Sequence, residues 1–217
     1  MPAAHANTPG AAAPGLAEIH WSPDPRDRDA LTQRHDWSAL TGLEQLWPEL
    51  ERLHGDAIAL EAPHARPPET LSFAALRRRV DQAAAGFAAL GLRAGEVVAL
   101  FAENSPRWLV ADQGLMRVGA ADAVRGSGAP AEELRFILGD CGAVGLVLES
   151  AALLERLELP AEALAPLRFV VLLEGAAPET GWSGPPLLSW DALLERGAAA
   201  NPPPAPAADP EIGRAHV

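Results

Sequence analysis

Short unbroken apolar runs alternate, through the middle of the chain, with stretches whose apolar residues return every three or four positions. EVVALFA (Glu96–Ala102), VGLVLE (Val144–Glu149) and RFVVLLE (Arg168–Glu174) are runs of the first kind, as expected for strands covered on both faces. AIALEA (Ala57–Ala62) and ETLSF (Glu69–Phe73) predict two further extended pieces, parted by the turn-forming HARPP, and Ala120–Val124 predicts another. Of the second kind is the stretch after Ser72, where Phe73, Leu76, Val80, Phe87 and Leu90 form one stripe; Ser72 is placed to cap this helix and Gly91 to end it. Asn104 or Ser105 is placed to cap a second helix, with Pro106 at its first position and WLVADQGLMRV carrying it to Val118. AEELRFILGDC, SAALLERLEL and LSWDALLERG predict three more. Leu43, Leu46, Trp47, Leu50 and Leu53 predict a short helix over Leu43–His54, which Pro48 either breaks or forces to begin near Trp47.

Strands separated by helices call for a parallel sheet, because parallel neighbours need crossover connections. The expected fold class is therefore α/β, with a parallel-sheet unit over residues 40–175 and buried strands at Val97–Phe101, Leu146–Leu148 and Phe169–Leu172. The flanks are of another character. Residues 1–36, with SPDPRDRD at Ser22–Asp29, have the composition of a loose arm, and NPPPAPAADP (Asn201–Pro210) that of a stiff polyproline-like linker. The expected organisation is an arm (1–36), the folded portion (37–200), a linker (201–211) and a tail (212–217). No internal repeat is visible.

Composition narrows the function classes. Hydrophobic residues make up 48% of the 217, enough for a core, while a formal net charge of −12 with scattered cations speaks against a nucleic-acid partner. Arg77–Arg79 is the one basic run and reads as a solvated helix face. All 17 basic residues are Arg, so the chain has no lysine for phosphate or catalytic chemistry. Cys141 is the single cysteine; it excludes an intrachain disulfide and, at an apparent helix end with no marked base partner, reads as an inert thiol. With no signal-peptide pattern at the start and no long apolar span, a cytoplasmic location is expected.

ETLSFAAL, ALGLRAGEVVALFAENSPRW and AEELRFILGDCGAVGLVLE occur in this order between Glu69 and Glu149. Their order and spacing resemble the front of the adenylate-forming superfamily, in which A-x-G-L-R-x-G-(D/E)-x-V-A-L precedes a helix opened by N-S-P-x-W. GAADAVRGSGAPAEEL (Gly119–Leu134) holds a V-R-G-S loop where most members carry a proline-containing segment. That loop is similar to the long-chain acyl-CoA and acyl-carrier-protein synthetases of photosynthetic bacteria and plastids. The resemblance implies a parent ligase using ATP and magnesium to make an acyl-adenylate from a fatty acid. The acyl group then passes to the thiol of CoA or of an acyl carrier protein, with peripheral membrane contact allowed. The implied fold is the N-terminal, parallel-sheet portion of the synthetase large domain.

The phosphate loop of that family has the form (Y/F)-(T/S)-S-G-T-T-G-x-P-K-G, and no such run occurs. Gly126-Ser127-Gly128, before Ala129 and Pro130, lacks both the spacing and a lysine and reads as a plain strand-to-helix loop. His20, His35, His54 and His64 have no metal-ligand spacing and read as surface residues. Glu132 and Glu133 suit the first turn of a helix. Trp21, Trp37, Trp47, Trp108, Trp182 and Trp190 are scattered and read as separate packing anchors. No residue is assigned a catalytic, cofactor-binding or metal-binding role, and the chain alone is expected to be inactive and to bind no cofactor.

Ala208–Glu211 still resemble the lead-in to the strand that delivers the phosphate loop, whereas Ile212–Val217 do not. One set of codons for EIGRAHV contains the opening of a widely used sequencing-library adapter, so the tail is expected to be non-native. Two alternatives stand beside the fatty-acid reading: a non-catalytic α/β binding module, and part of an adenylating enzyme for another carboxylic acid.

Overall fold

The computed structural model describes residues 40, 45–65, 68–178 and 181–201. The expected arm, the tail and nearly all of the linker, with His20, His35, Trp21 and Trp37, lie outside the described residues.

Five strands form one parallel sheet in the order β4-β3-β5-β6-β7: β3 (Val97–Phe101), β4 (Ala121–Arg125), β5 (Gly145–Leu148), β6 (Phe169–Leu172) and β7 (Leu187–Ser189). The three segments expected to be buried parallel strands are β3, β5 and β6. Alternate residues along them serve opposite faces. Val98, Leu100, Val147, Phe169 and Val171 enter one core cluster, and Ala99, Phe101, Leu146, Leu148, Val170 and Leu172 the other. The first cluster is covered by α2 (Phe73–Ala89), α3 (Pro106–Val118) and α7 (Trp190–Ala198). The second is covered by α4 (Ala131–Asp140) and α5 (Ala151–Leu157), with the single turn α6 (Ala161–Leu164) behind.

Local chemistry sets the helix ends. Ser72, Ser105, Ser150 and Ser189 each accept a hydrogen bond from the backbone N–H three residues on, satisfying one of the donors a helix start leaves free. Ser105, not Asn104, caps α3, with Pro106 directly behind it. Helix α2 closes with a Schellman pair, Leu92 N–H to Phe87 O at 3.2 Å and Gly91 N–H to Ala88 O at 2.9 Å, with Gly91 at φ +89°.

Three features depart from the expectation. The pieces before α2, β1 (Ile58–Ala62) and β2 (Glu69–Ser72), form an antiparallel pair of their own rather than joining the parallel sheet. Their short link permits only a hairpin-like return. Leu188 and Ser189, read as the start of a helix, belong with Leu187 to the fifth strand, and the helix begins at Trp190. The three residues of that strand are too few to show a strand period. The first helix, α1, spans Leu46–His54 and keeps Pro48 in its first turn, where a missing N–H costs no intrahelical bond.

Candidate functional site

In an open parallel sheet, ligands gather beyond the C-terminal strand ends, where neighbouring crossovers leave toward opposite faces. Here that point lies between β3, which leads into α3 on one face, and β5, which leads into α5 on the other. Glu103 and Glu149 stand there, directly after the apolar runs of the two strands. Glu149 Oε2 accepts from Glu103 N–H at 2.9 Å, stitching the two strand ends together.

The V-R-G-S loop folds onto these two carboxylates. Ser127 Oγ lies 2.8 Å from Glu149 Oε2 and 3.3 Å from Glu103 Oε1, and Gly128 N–H donates to Glu103 Oε1 at 3.2 Å. Gly126 has a specific reason to be glycine: a Cβ there would sit 2.9 Å from Glu103 Oε1 and drive the carboxylate off the loop. Arg156 donates to Ser127 O and Ala129 O, and Arg125 Nε to Glu133 Oε1 at 2.7 Å. A phosphate-binding loop offers N–H donors to an anion. These donors already face carboxylates, so the loop is a structural clip and does not fit the phosphates of ATP.

A larger open cleft, about 1130 Å³, lies beside the β1–β2 pair, the N-terminus of α3 and the start of α7. Its cations are engaged: Arg79 pairs with Glu69, and Arg107 donates to Leu173 O. Glu61, Glu174 and Asp191 also line it. Anionic walls and committed guanidiniums do not suit a nucleotide triphosphate either, and we derive no step through ATP or magnesium at either place. Among the described residues no group of three or more His, Cys, Asp or Glu could hold a metal ion.

The remaining candidates fall into structural roles. The basic run lies on a partly solvated face and is also ion-paired there: Arg77 pairs with Glu51 and Asp81, and Arg79 with Glu69, while Arg78 is exposed. Cys141 is half-buried; burial raises its thiol pKa, against a nucleophilic role. His54 stacks beside Phe73 at 5.7 Å, and His64 is exposed on the cleft rim. Glu132 and Glu133 occupy the first turn of α4. The described tryptophans are not all separate anchors: Trp190 is buried in the first core cluster and Trp47 and Trp108 pack against it, with Trp47 Nε1 donating to Gln113 Oε1 at 2.8 Å, whereas Trp182 packs against the second cluster and its Nε1 donates to Pro185 O at 2.6 Å.

Sequence reasoning passed over Glu103, Glu149, Asp112 and Asp122. The first two could have been found as the polar residues that end apolar runs at the ligand-facing edge of a parallel sheet. Asp112 breaks the apolar stripe of α3, three residues before Leu115, and is buried. Asp122 lies in β4 opposite Val98, on the same side of the sheet. Burial and the neighbouring Asp112 raise its carboxyl pKa to about 7.

The open parallel sheet with helices on both faces defines an α/β scaffold of the parallel, doubly covered type. The family model for the AMP-binding enzyme matches residues 49–211, and the chain belongs to that family. It is 37% identical over 147 residues to the Arabidopsis thaliana chloroplastic long-chain-fatty-acid–[acyl-carrier-protein] ligase AEE15, covering 68% of this chain and 20% of that one. It is 34% identical over 148 residues to the probable acyl-activating enzyme 16, chloroplastic, of the same plant, with the same two shares. Among solved structures, apo MbtA of Mycobacterium smegmatis superposes with a TM-score of 0.64 at 28% identity, over 90% of this chain and 34% of that one. The chain thus spans about a fifth of the length of these two plant relatives.

Proposed function

We propose that this chain is the N-terminal portion of an ATP-dependent ligase that activates a long-chain fatty acid as its acyl-adenylate and transfers it to CoA or an acyl carrier protein. The observation that carries this reading is the 37% identity to a long-chain-fatty-acid–[acyl-carrier-protein] ligase, spread over 147 residues. Enzymes of this family use ATP and magnesium. In the parent these would be held by residues outside the present 217, since the clip and the cleft among the described residues are lined by carboxylates and engaged arginines. The 217 residues alone are proposed to be inactive, residues 212–217 to be a non-native tail, and the parent to be cytoplasmic. A fatty-acid substrate would also bring the parent into peripheral contact with membranes. No described helix is long and apolar enough to cross one, and the net charge of −12 gives no support for a nucleic-acid partner.

A second reading, an adenylating enzyme for a different acid, is favoured by one finding. The chain is 32% identical over 158 residues to an L-proline–[L-prolyl-carrier protein] ligase of Streptomyces coelicolor. The experiment that separates them is to sequence source DNA across the codon for Glu211, express the full reading frame, and measure acid-dependent ATP–pyrophosphate exchange. Exchange supported by long-chain fatty acids and not by amino or aryl acids is expected; the reverse preference overturns the fatty-acid reading. The 217-residue chain alone is expected to give no exchange above a no-enzyme blank. Exchange that survives repurification would place an active site within it.

A further inference from the structure

Helix α1 lies outside the parallel sheet, against α2 and α3, and none of its nine residues is buried. Its apolar positions Leu46, Trp47, Leu50 and Leu53 are all half-buried, and Trp47 packs on the edge of the first core cluster. The two helices beneath it are of another kind, burying Leu76, Val80 and Phe87 of α2 and Val110 and Leu115 of α3. They also meet each other without help from α1: a Cβ on Gly114 would lie 2.8 Å from that of Ala83. A helix with so little apolar surface removed from water belongs to the low-stability end of a fold, where local opening precedes global unfolding.

The two ends of α1 are held differently. At its C-terminal end the backbone itself is pinned: Ala74 N–H donates to Gly55 O at 3.0 Å and Phe73 N–H to Ala57 O at 3.1 Å, with His54 against the Phe73 ring. Midway, Glu51 pairs with Arg77 of α2, both side chains about one-third exposed, a contact that water weakens. Toward the N-terminal end the attachment is made by side chains, Trp47 Nε1 donating to Gln113 Oε1 of α3 at 2.8 Å. An indole nitrogen can only donate, so it fixes which atom of the Gln113 amide faces it. Gln113 Nε2 is thereby turned inward, 2.6 Å from Asp112 Oδ2 and 3.6 Å from Met116 Sδ. Asp112 is the one buried charged residue among the described residues.

We propose that α1 is a strap that opens as a unit about its Gly55 end, and that the Trp47–Gln113 bond is its clasp. Opening gives up half-buried apolar surface, one exposed ion pair and the indole bond, while α2, α3 and the sheet stay packed. It uncovers the seam between α2 and α3 at Arg77 and Gln113, and it frees the Gln113 amide to rotate, so that Asp112 loses its oriented donor. The strap thus controls access of water to the buried carboxylate from the outer side of the first face. This inference is independent of which acid the parent activates.

The test uses the whole 217-residue chain and reads amide hydrogen exchange residue by residue. In wild type, the amides of Leu50–His54 are expected to exchange together, at least about tenfold faster than those of Val98–Phe101, and at rates that low urea hardly changes, because the opening exposes little new surface. Two variants separate the strap from global unfolding. Val170→Ala removes packing from the opposite face; it is expected to speed exchange in β3 about tenfold and to leave α1 unchanged, because the open strap keeps that packing. Trp47→Phe keeps a ring in place and removes the indole donor; it is expected to speed exchange in α1 about 3–10-fold and to shift the Gln113 side-chain amide resonances. If α1 exchanges at the rate of β3 in wild type, or follows β3 in Val170→Ala, it opens only with the whole fold and there is no strap. Unchanged exchange of α1 in Trp47→Phe overturns the clasp.

Discussion

The two faces of the sheet are built from the same strands but differ in kind. The face under α4 and α5 is purely apolar: Ala99, Phe101, Leu134, Leu146, Leu148, Leu157 and Leu172 close it with no buried polar group of their own. The face under α2, α3 and α7 is larger and admits polar and backbone contacts, including the Gln113–Asp112 and Trp47–Gln113 bonds. It also brings helix backbones together: a Cβ on Gly197 would lie 1.8 Å from Gln82 O, and one on Gly86 2.5 Å from Leu193 O. One face is held by volume, whereas the other also depends on hydrogen-bond geometry. Its stability should therefore respond to changes the apolar face ignores.

The largest expected effect is on the apolar face. Phe101 is fully buried in a cluster of apolar side chains, and Phe101→Ala should cost about 3–5 kcal/mol, with little change between pH 5 and pH 8. A pH-dependent loss, read from urea unfolding, would erase the distinction between the faces. Next comes Gly197→Ala on the other face. A methyl group cannot fit against a backbone carbonyl, so α7 must move off α2, at about 1–3 kcal/mol or more; a neutral outcome by thermal unfolding would show that the helices are not in contact. Gln113→Ala should cost about 1–3 kcal/mol by stranding Trp47 Nε1 and a carboxylate oxygen of Asp112. The smallest effect belongs to Phe136, which is 69% exposed on the outside of α4: Phe136→Ser should lie within about 0.5 kcal/mol of wild type. A larger loss would mean that the apolar face extends beyond α4.

The clip at the ligand-facing edge was only partly legible. Gly126-Ser127-Gly128 was read as a structural loop because its spacing and lack of lysine do not suit a phosphate, and its donors do face carboxylates. The residues that receive those donors, Glu103 and Glu149, lie 24 and 22 positions from Ser127 along the chain, and no local pattern joins them to it. The partners of the basic run were hidden for a similar reason. RRR reads as a surface face, and Glu51 and Glu69 come from a different helix and strand to meet Arg77 and Arg79 there.

What the sequence determined by itself is whatever depends on neighbours a few residues apart. That includes the serine caps, Pro106 and Gly91 at helix ends, the apolar runs of β3, β5 and β6, and hence an α/β fold with parallel strands. These follow from backbone donors that must be satisfied and from side-chain periods of two and 3.6. Only the tertiary structure decided that β1 and β2 pair with each other, that Leu187–Ser189 reaches the sheet, and that Phe169 lies over Gly145, where a Cβ would meet its ring at 2.3 Å. It alone placed Trp47 against Gln113. Such contacts join residues distant in the chain through crossovers, and their energy comes from burial and charge at a meeting point that no local window contains.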